Sequence, residues 1–152
     1  MRASRDSSKL DDWKKSAGPK GFTGSFEQAA KYGEIVVLAV KGSAAESAVK
    51  IAGIANLKGK TVLDTTNPIA DAAPVNGVLQ FYTDLNHSQL ERLQKLAPET
   101  NFVKAFSCVG NAFMVNPNFK GGKPSMFICG NNQKAKATTT EILSQFGWET
   151  ED

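Results

Sequence analysis

The 152-residue chain is poor in the residues that most catalytic and metal chemistry uses. With one histidine, His87, a zinc site of familiar spacing cannot be written. A Ser-His-Asp triad would have to use His87 beside Asp84 in a polar loop, where spacing offers no triad geometry, so His87 reads as a solvated loop residue. The two cysteines, Cys108 and Cys129, are far apart and form no C-x-x-C pair. No disulfide framework is expected, and both thiols read as small apolar residues at strand ends of a cytoplasmic protein. The longest unbroken apolar run is residues 35–40, far short of the ~18 residues that span a bilayer. The opening Met1-Arg2-Ala3-Ser4-Arg5-Asp6 is polar and lacks the apolar region of a secretory signal. A formal charge of +3 is too mild to imply nucleic acid or anionic lipid, so neither nucleic acid nor membrane is expected as a partner.

Two phosphate-binding motifs are also missing. Gly59-Lys60-Thr61 resembles the end of a P-loop, but position 54 is isoleucine and the triplet precedes a strand, whereas a P-loop follows one. It reads as a turn. The dinucleotide fingerprint G-x-G-x-x-G is absent, since no two glycines stand two positions apart.

What the chain does have is alternation. Hydrophobic residues at 41% and charged residues at 22% are ordinary globular usage, and the length suits a single domain, residues 1–152. Ser7 or Ser8 can cap a helix carrying Leu10, Trp13 and Ala17, which stops at Gly18-Pro19. An extended piece at 21–24 leads to Ser25, the cap of a helix ending at Gly33. Residues 35–40 are apolar throughout, as in a parallel strand covered on both faces. Ser43 then caps a helix with Ala45, Ala48, Val49 and Ala52 on one stripe, and 61–64 is the next strand. Residues 69–86 look irregular. Ser88 opens a helix with Leu90, Leu93, Leu96 and Ala97 on one side, followed by strands at 102–106 and 125–129, a helix at 133–146 and an extended end from Gly147. This order predicts an α/β fold, doubly wound, with a mainly parallel sheet.

Ligands of such sheets bind beyond the carboxyl ends of the strands. That rule selects Ser4-Arg5, Lys41-Gly42-Ser43, Thr65-Thr66-Asn67-Pro68, Ser107-Cys108 and Gly130-Asn131. Small, hydroxylated and amide residues suit a binding edge, and ordinary turns use the same residues.

Three blocks carry a more specific likeness: Thr61-Val62-Leu63-Asp64-Thr65-Thr66-Asn67-Pro68-Ile69, Val103-Lys104-Ala105-Phe106-Ser107-Cys108-Val109-Gly110-Asn111 and Met126-Phe127-Ile128-Cys129-Gly130-Asn131. With Ala3-Ser4-Arg5-Asp6 and Val37-Leu38-Ala39-Val40, in the same order, the chain resembles the NADPH-dependent F420 reductases, NADP oxidoreductases that use the deazaflavin coenzyme F420. The likeness extends over essentially the whole chain. It departs at Ser107, where the family often has asparagine, and at Lys41, a variable position.

The resemblance implies a Rossmann-like domain in which Ser4-Arg5 ends the second strand. The first strand, its glycine turn and first helix would then lie upstream, and a further strand and small helical region downstream, so the chain is expected to be truncated at both ends. On that expectation an unpaired apolar edge should remain on the 35–40 strand, with NADPH bound weakly or not at all and association through the edge.

The resemblance further implies NADP(H) as cofactor. An arginine at the end of the second strand suits its 2′-phosphate, bound by the planar guanidinium of Arg5 and the hydroxyl of Ser4. Ala39, Val40 and Lys41 would flank the pyrophosphate and nicotinamide ribose. Thr66, Asn67 and Pro68 would lie near that ribose, with Pro68 biasing Asn67 towards an extended conformation. Ala105, Phe106 and Ser107 would approach the nicotinamide and the acceptor. The implied activity is hydride transfer between NADPH and F420 or a flavin-like acceptor, which requires orientation rather than a catalytic acid or base, so no catalytic residue and no metal ligand is assigned. Two alternatives stand beside it: a non-catalytic nucleotide-binding or regulatory domain, and the NADPH module of a ferric or other metal reductase. Small-molecule partners are expected, with a homodimer left open.

Overall fold

The computed structural model describes residues 1–152. Strand β1 (Arg2–Ala3) leads through a single 3-10 turn, Ser7–Leu10, into α1 (Asp11–Ala17). Asp6 caps that turn by accepting from the Ser8 N–H and hydroxyl, so the cap is the residue before the two serines expected to serve. The helix stops where Gly18 takes φ 65°. After β2 (Thr23–Gly24), Ser25 and Gln28 close a reciprocal capping box over α2 (Phe26–Tyr32), as the Ser-x-x-Gln spacing predicts. Strand β3 (Ile35–Leu38) is followed by α3 (Ala45–Ala52) and α4 (Ile54–Leu57), then β4 (Thr61–Asp64). Ser43 is not the cap of α3: it lies within the 3-10 turn Gly42–Ala44, and Ala44 precedes the helix with no side-chain cap. A second capping box, Ser88 with Glu91, starts α5 (Gln89–Leu96), which leads to β5 (Asn101–Lys104). The chain ends with β6 (Ser125–Phe127), β7 (Cys129–Gly130), α6 (Gln133–Gln145) and β8 (Glu149–Glu151).

Strands β3, β4 and β5 run parallel in that order, and β7 closes the far edge antiparallel to β5. Two smaller parallel pairs, β1–β2 and β6–β8, stand apart from this sheet. The expected strand at 125–129 therefore divides between two sheets, with Ile128 as the joint.

Because side chains alternate along a strand, each sheet face receives its own core. Leu38, Val62 and Phe102 pack with Ala45, Ala48, Val49 and Leu93 from α3 and α5. Leu63 and Val103 pack on the other face with Ala135 and Leu143 from α6, together with Met126 and Trp148. Helices thus cover both faces of β4 and β5, as expected of a doubly wound sheet. At β3 the expectation of two covered faces fails. Val36 and Leu38 turn into the first core, but Ile35 is 42% and Val37 57% exposed, because the α6 layer extends over β4 and β5 only. β3 is also paired on one edge alone, leaving a break between it and β1–β2.

Candidate functional site

Beyond the carboxyl ends of β3, β4 and β5, three loops meet. The Leu38 carbonyl accepts from the backbone N–H of Thr65 at 3.1 Å and from its hydroxyl at 3.2 Å. Gly42 is buried against Asn67 so closely that a β-carbon on it would fall 1.8 Å from the Asn67 carbonyl oxygen. Asn67 in turn donates its side-chain amide to the Ser107 carbonyl at 2.8 Å. The loops after β3, β4 and β5 thereby form one surface.

A buried polar cluster lies beneath it. Asp64 is fully buried, and its carboxylate accepts from the Lys104 ammonium at 2.5 Å. The other carboxylate oxygen accepts the Thr66 N–H at 2.9 Å and the Thr66 hydroxyl at 2.6 Å. Lys104 also donates to the Thr66 carbonyl at 2.7 Å. A buried carboxylate is tolerable only with such compensation. The Thr66 hydroxyl further accepts from Gln89, and the Gln89 carbonyl accepts from the Tyr82 hydroxyl at 2.5 Å. Burial pushes the Tyr82 phenol above its ordinary value. Arg92 lies 5.6 Å from the Tyr82 ring centre and pairs with Glu46 at 2.8 Å.

The loop after β5 carries backbone strain. Phe106 has φ 62°, an outlier for a bulky residue that costs about 1–3 kcal/mol. Its ring is buried and sits 6.2 Å from that of Phe146, while its N–H meets the Met126 sulfur at 3.3 Å. This turn ends β5 at Lys104, two residues before the expected boundary at Phe106.

The other expected site residues are placed as follows. Ala39 is exposed and Val40 half-buried against the first core. Pro68 accepts at its carbonyl from the Tyr82 N–H, and Ala105 is fully buried. Lys41 is exposed and pairs with Asp71, so its charge is already partnered. The Lys41 ammonium and the Ser43 hydroxyl hold the Asp71 carboxyl below its ordinary value. Ser4 and Arg5 follow β1, in the separate two-stranded sheet. The Ser4 hydroxyl accepts from the Asp6 N–H at 3.3 Å, and Arg5 is exposed with no ion pair. The structure therefore joins Lys41-Gly42, Thr66-Asn67-Pro68 and Ala105-Phe106-Ser107 in one cluster, and no hydrogen bond or ion pair connects Ser4-Arg5 to it. Cys108 and Cys129 are free and exposed; Cys129 opens β7, at a strand end as expected, whereas Cys108 lies in the loop after β5 because that strand ends at Lys104. His87 meets Asp84 at 3.1 Å in a solvent-facing loop.

Sequence reasoning missed Asp64, Lys104, Gln89 and Tyr82. A signal existed for the first two: each is the one charged residue of its strand and follows two apolar residues. Parallel strands of equal length bring such ends together, and Asp64 and Lys104 are register partners.

Two cavities are large enough for small molecules. One of about 540 Å³ adjoins the cluster and is lined by Gly42, Ser43, Lys50, Asp71, Tyr82 and Arg92. A larger one of about 710 Å³ runs along α5 and the β5–β7 edge, from Ser88 and Glu91 to Thr100, Asn101 and Asn131. Location at the strand carboxyl ends, rather than size, favours the first.

Residues 1–68 match the family described as NADP oxidoreductase, coenzyme F420-dependent. Among solved structures, the chain is 29% identical to an Arthrobacter sp. FB24 protein provisionally assigned as an F420-dependent NADP reductase. That match has a TM-score of 0.79 and covers 84% of this chain and 58% of the other. A hypothetical protein of Sinorhizobium meliloti is 24% identical at TM-score 0.77, covering 99% of this chain and 70% of its own. Plasmodium falciparum pyrroline carboxylate reductase, solved with NADP bound, is 17% identical at TM-score 0.53, covering 88% and 44%. The latter two show a shared Rossmann-like fold alone. The chain thus spans 58% of the length of the Arthrobacter protein. Over residues 1–68, then, the chain is similar to the coenzyme F420-dependent NADP oxidoreductases.

Proposed function

We propose that residues 1–152 form a single partial NAD(P)-binding unit that binds NADP(H) and orients it for hydride transfer to F420 or a flavin-like acceptor. The observation that carries this reading is the convergence of three strand-end loops, through Gly42–Asn67 and Asn67–Ser107, at the edge where parallel α/β sheets bind ligands. The donor chemistry fits the two ends of the dinucleotide. Arg5 offers an exposed guanidinium without a carboxylate partner, suited to the 2′-phosphate, with the Ser4 hydroxyl beside it. Thr66, Asn67 and Pro68 present a fixed loop to the nicotinamide ribose, and Ala39 and Val40 leave room for a ring to approach. Lys41 can reach the phosphates only by releasing Asp71.

When bound, the nicotinamide and the acceptor ring supply the redox chemistry, NADPH giving up a hydride that the acceptor takes together with a proton from solvent. The chain's own residues hold and orient. The strained Phe106 turn sets the Ser107 carbonyl where Asn67 is anchored, so the two loops flanking the reacting ring keep one spacing.

The test is to mix the chain with NADPH and either F420 or a free flavin and follow both absorbances. Stoichiometric loss of NADPH with reduction of the acceptor supports the proposal. Binding of NADPH without turnover would make the chain a nucleotide-binding module, and no binding would overturn the reading of residues 1–152 as a binding unit by themselves.

A further inference from the structure

We propose that Asp64 and Lys104 are positioning residues, a buried pair whose task is to fix Thr66 and Asn67 for the nicotinamide half of the dinucleotide. The proposal rests on the functional reading above. Every hydrogen-bonding group of Thr66 is held by this pair. Its N–H and hydroxyl both donate to Asp64, and its carbonyl accepts from Lys104. Asp64 is fully buried and the Lys104 side chain is 17% exposed, so the pair is shielded from water and salt. Asp64, with no exposed surface, cannot touch a cofactor directly and acts through Thr66.

The arrangement exceeds what strand pairing needs. Val62 and Phe102, one turn of the pleat earlier on the same face, are apolar and pack in the first core. Continuing that pattern at 64 and 104 would satisfy the sheet. A lysine and an aspartate there carry a desolvation cost, offset only by the bonds they make to Thr66 and to each other. The next residue, Asn67, spans to Ser107 and abuts Gly42. Fixing Thr66 therefore fixes all three loops at once. Gln89 extends the grip to α5 through the Thr66 hydroxyl.

The test uses Lys104→Met, Asp64→Asn and Thr66→Val, the last a shape-preserving change that removes only the hydroxyl. In the ligand-free chain, amide exchange at Thr66 and Asn67 should rise in Lys104→Met and Asp64→Asn, while amides of α6 stay as in wild type. In titrations, NADPH should weaken by about tenfold or more in these two variants and by less in Thr66→Val. Adenosine 2′,5′-bisphosphate, which lacks the nicotinamide half, should bind all of them as it binds wild type. Unchanged exchange at Thr66 in folded variants would overturn the clamp. Equal losses of both ligands would overturn the positioning role and leave a purely structural pair. If Lys104→Met does not fold, Thr66→Val decides: an NADPH affinity equal to wild type overturns the proposal. Wild type that binds neither ligand would overturn the dinucleotide reading and this role with it, whereas wild type binding both isolates the role of the pair.

Discussion

The two regions proposed to hold the ends of the dinucleotide are built in different ways. Around β3, β4 and β5, a buried ion pair, a fully bonded threonine and two interloop contacts fix the strand ends, above two apolar cores. Around β1 and β2, two strands of two residues each are paired only with one another, and solvent-facing contacts dominate. There Asp6 caps a short turn, Arg2 lies 5.6 Å from the Trp13 ring centre, and Leu10 is buried. The difference separates two tasks. Placing a reacting ring demands fixed loops, whereas reading a phosphate demands an accessible charge and tolerates a softer support.

The sharpest way to break this comparison is to remove a charge from each region. Lys104→Met strands a buried carboxylate and should lower unfolding stability by about 3–5 kcal/mol. Arg2→Ala removes an exposed cation–π contact and should cost at most about 1 kcal/mol. Urea titrations giving equal losses would show that the strand-end pair is no more important than a surface contact.

Cofactor selectivity should sit in the softer region. Arg5→Ala is expected to weaken NADPH by about 1.5–3 kcal/mol, the scale of a hydrogen bond to a charged group, and to leave NADH almost unchanged. Calorimetric titration of both nucleotides checks this, and matching losses would remove Arg5 from the 2′-phosphate.

Glycine substitutions sharpen the point within the loops. Gly42→Ala drives a methyl into the Asn67 carbonyl and should destabilise by about 1–3 kcal/mol through displacement of the loop. Gly110→Ala meets open space at an ordinary φ and should stay within about 0.5 kcal/mol of wild type in the same thermal melts.

The smallest effect is a pH dependence shared by both regions. The Ser88 N–H and hydroxyl hold the Glu91 carboxyl below its ordinary 4.5, and the Ser8 hydroxyl and N–H hold Asp6 below 3.8. Both folded values are depressed, so each cap contributes stability above the unfolded value and loses it as pH falls through the folded one. Glu91→Gln and Asp6→Asn should each flatten the acid limb of a stability–pH curve measured below about pH 5.

The elements were largely legible because local chemistry set them. Ser25 and Ser88, each followed at the third position by Gln or Glu, announce their helices, and the apolar run at 35–40 and the pattern at 61–64 announce parallel strands, the first ending two residues early at Leu38. Ser43 misled because the chain there first makes a 3-10 turn, Gly42–Ala44, which leaves Ala44 rather than Ser43 before the helix. The two-sided burial expected of β3 was not legible, because it depends on how far α6 extends across the sheet. At the site, the three strand-end loops followed from the topology rule. The Asp64–Lys104 pair did not, since charged residues ending strands commonly face water, and only the register and α5 enclose these two.

Chemical-shift mapping of the chain with NADPH tests the central claim most directly. The account predicts shifts in two separated groups, Ser4 and Arg5 after β1 and the cluster of Lys41, Thr66, Asn67 and Ser107. Adenosine 2′,5′-bisphosphate should move only the first group. Shifts confined to Gln94, Thr100 and Asn131, in the larger cavity along α5 and the β5–β7 edge, would contradict it.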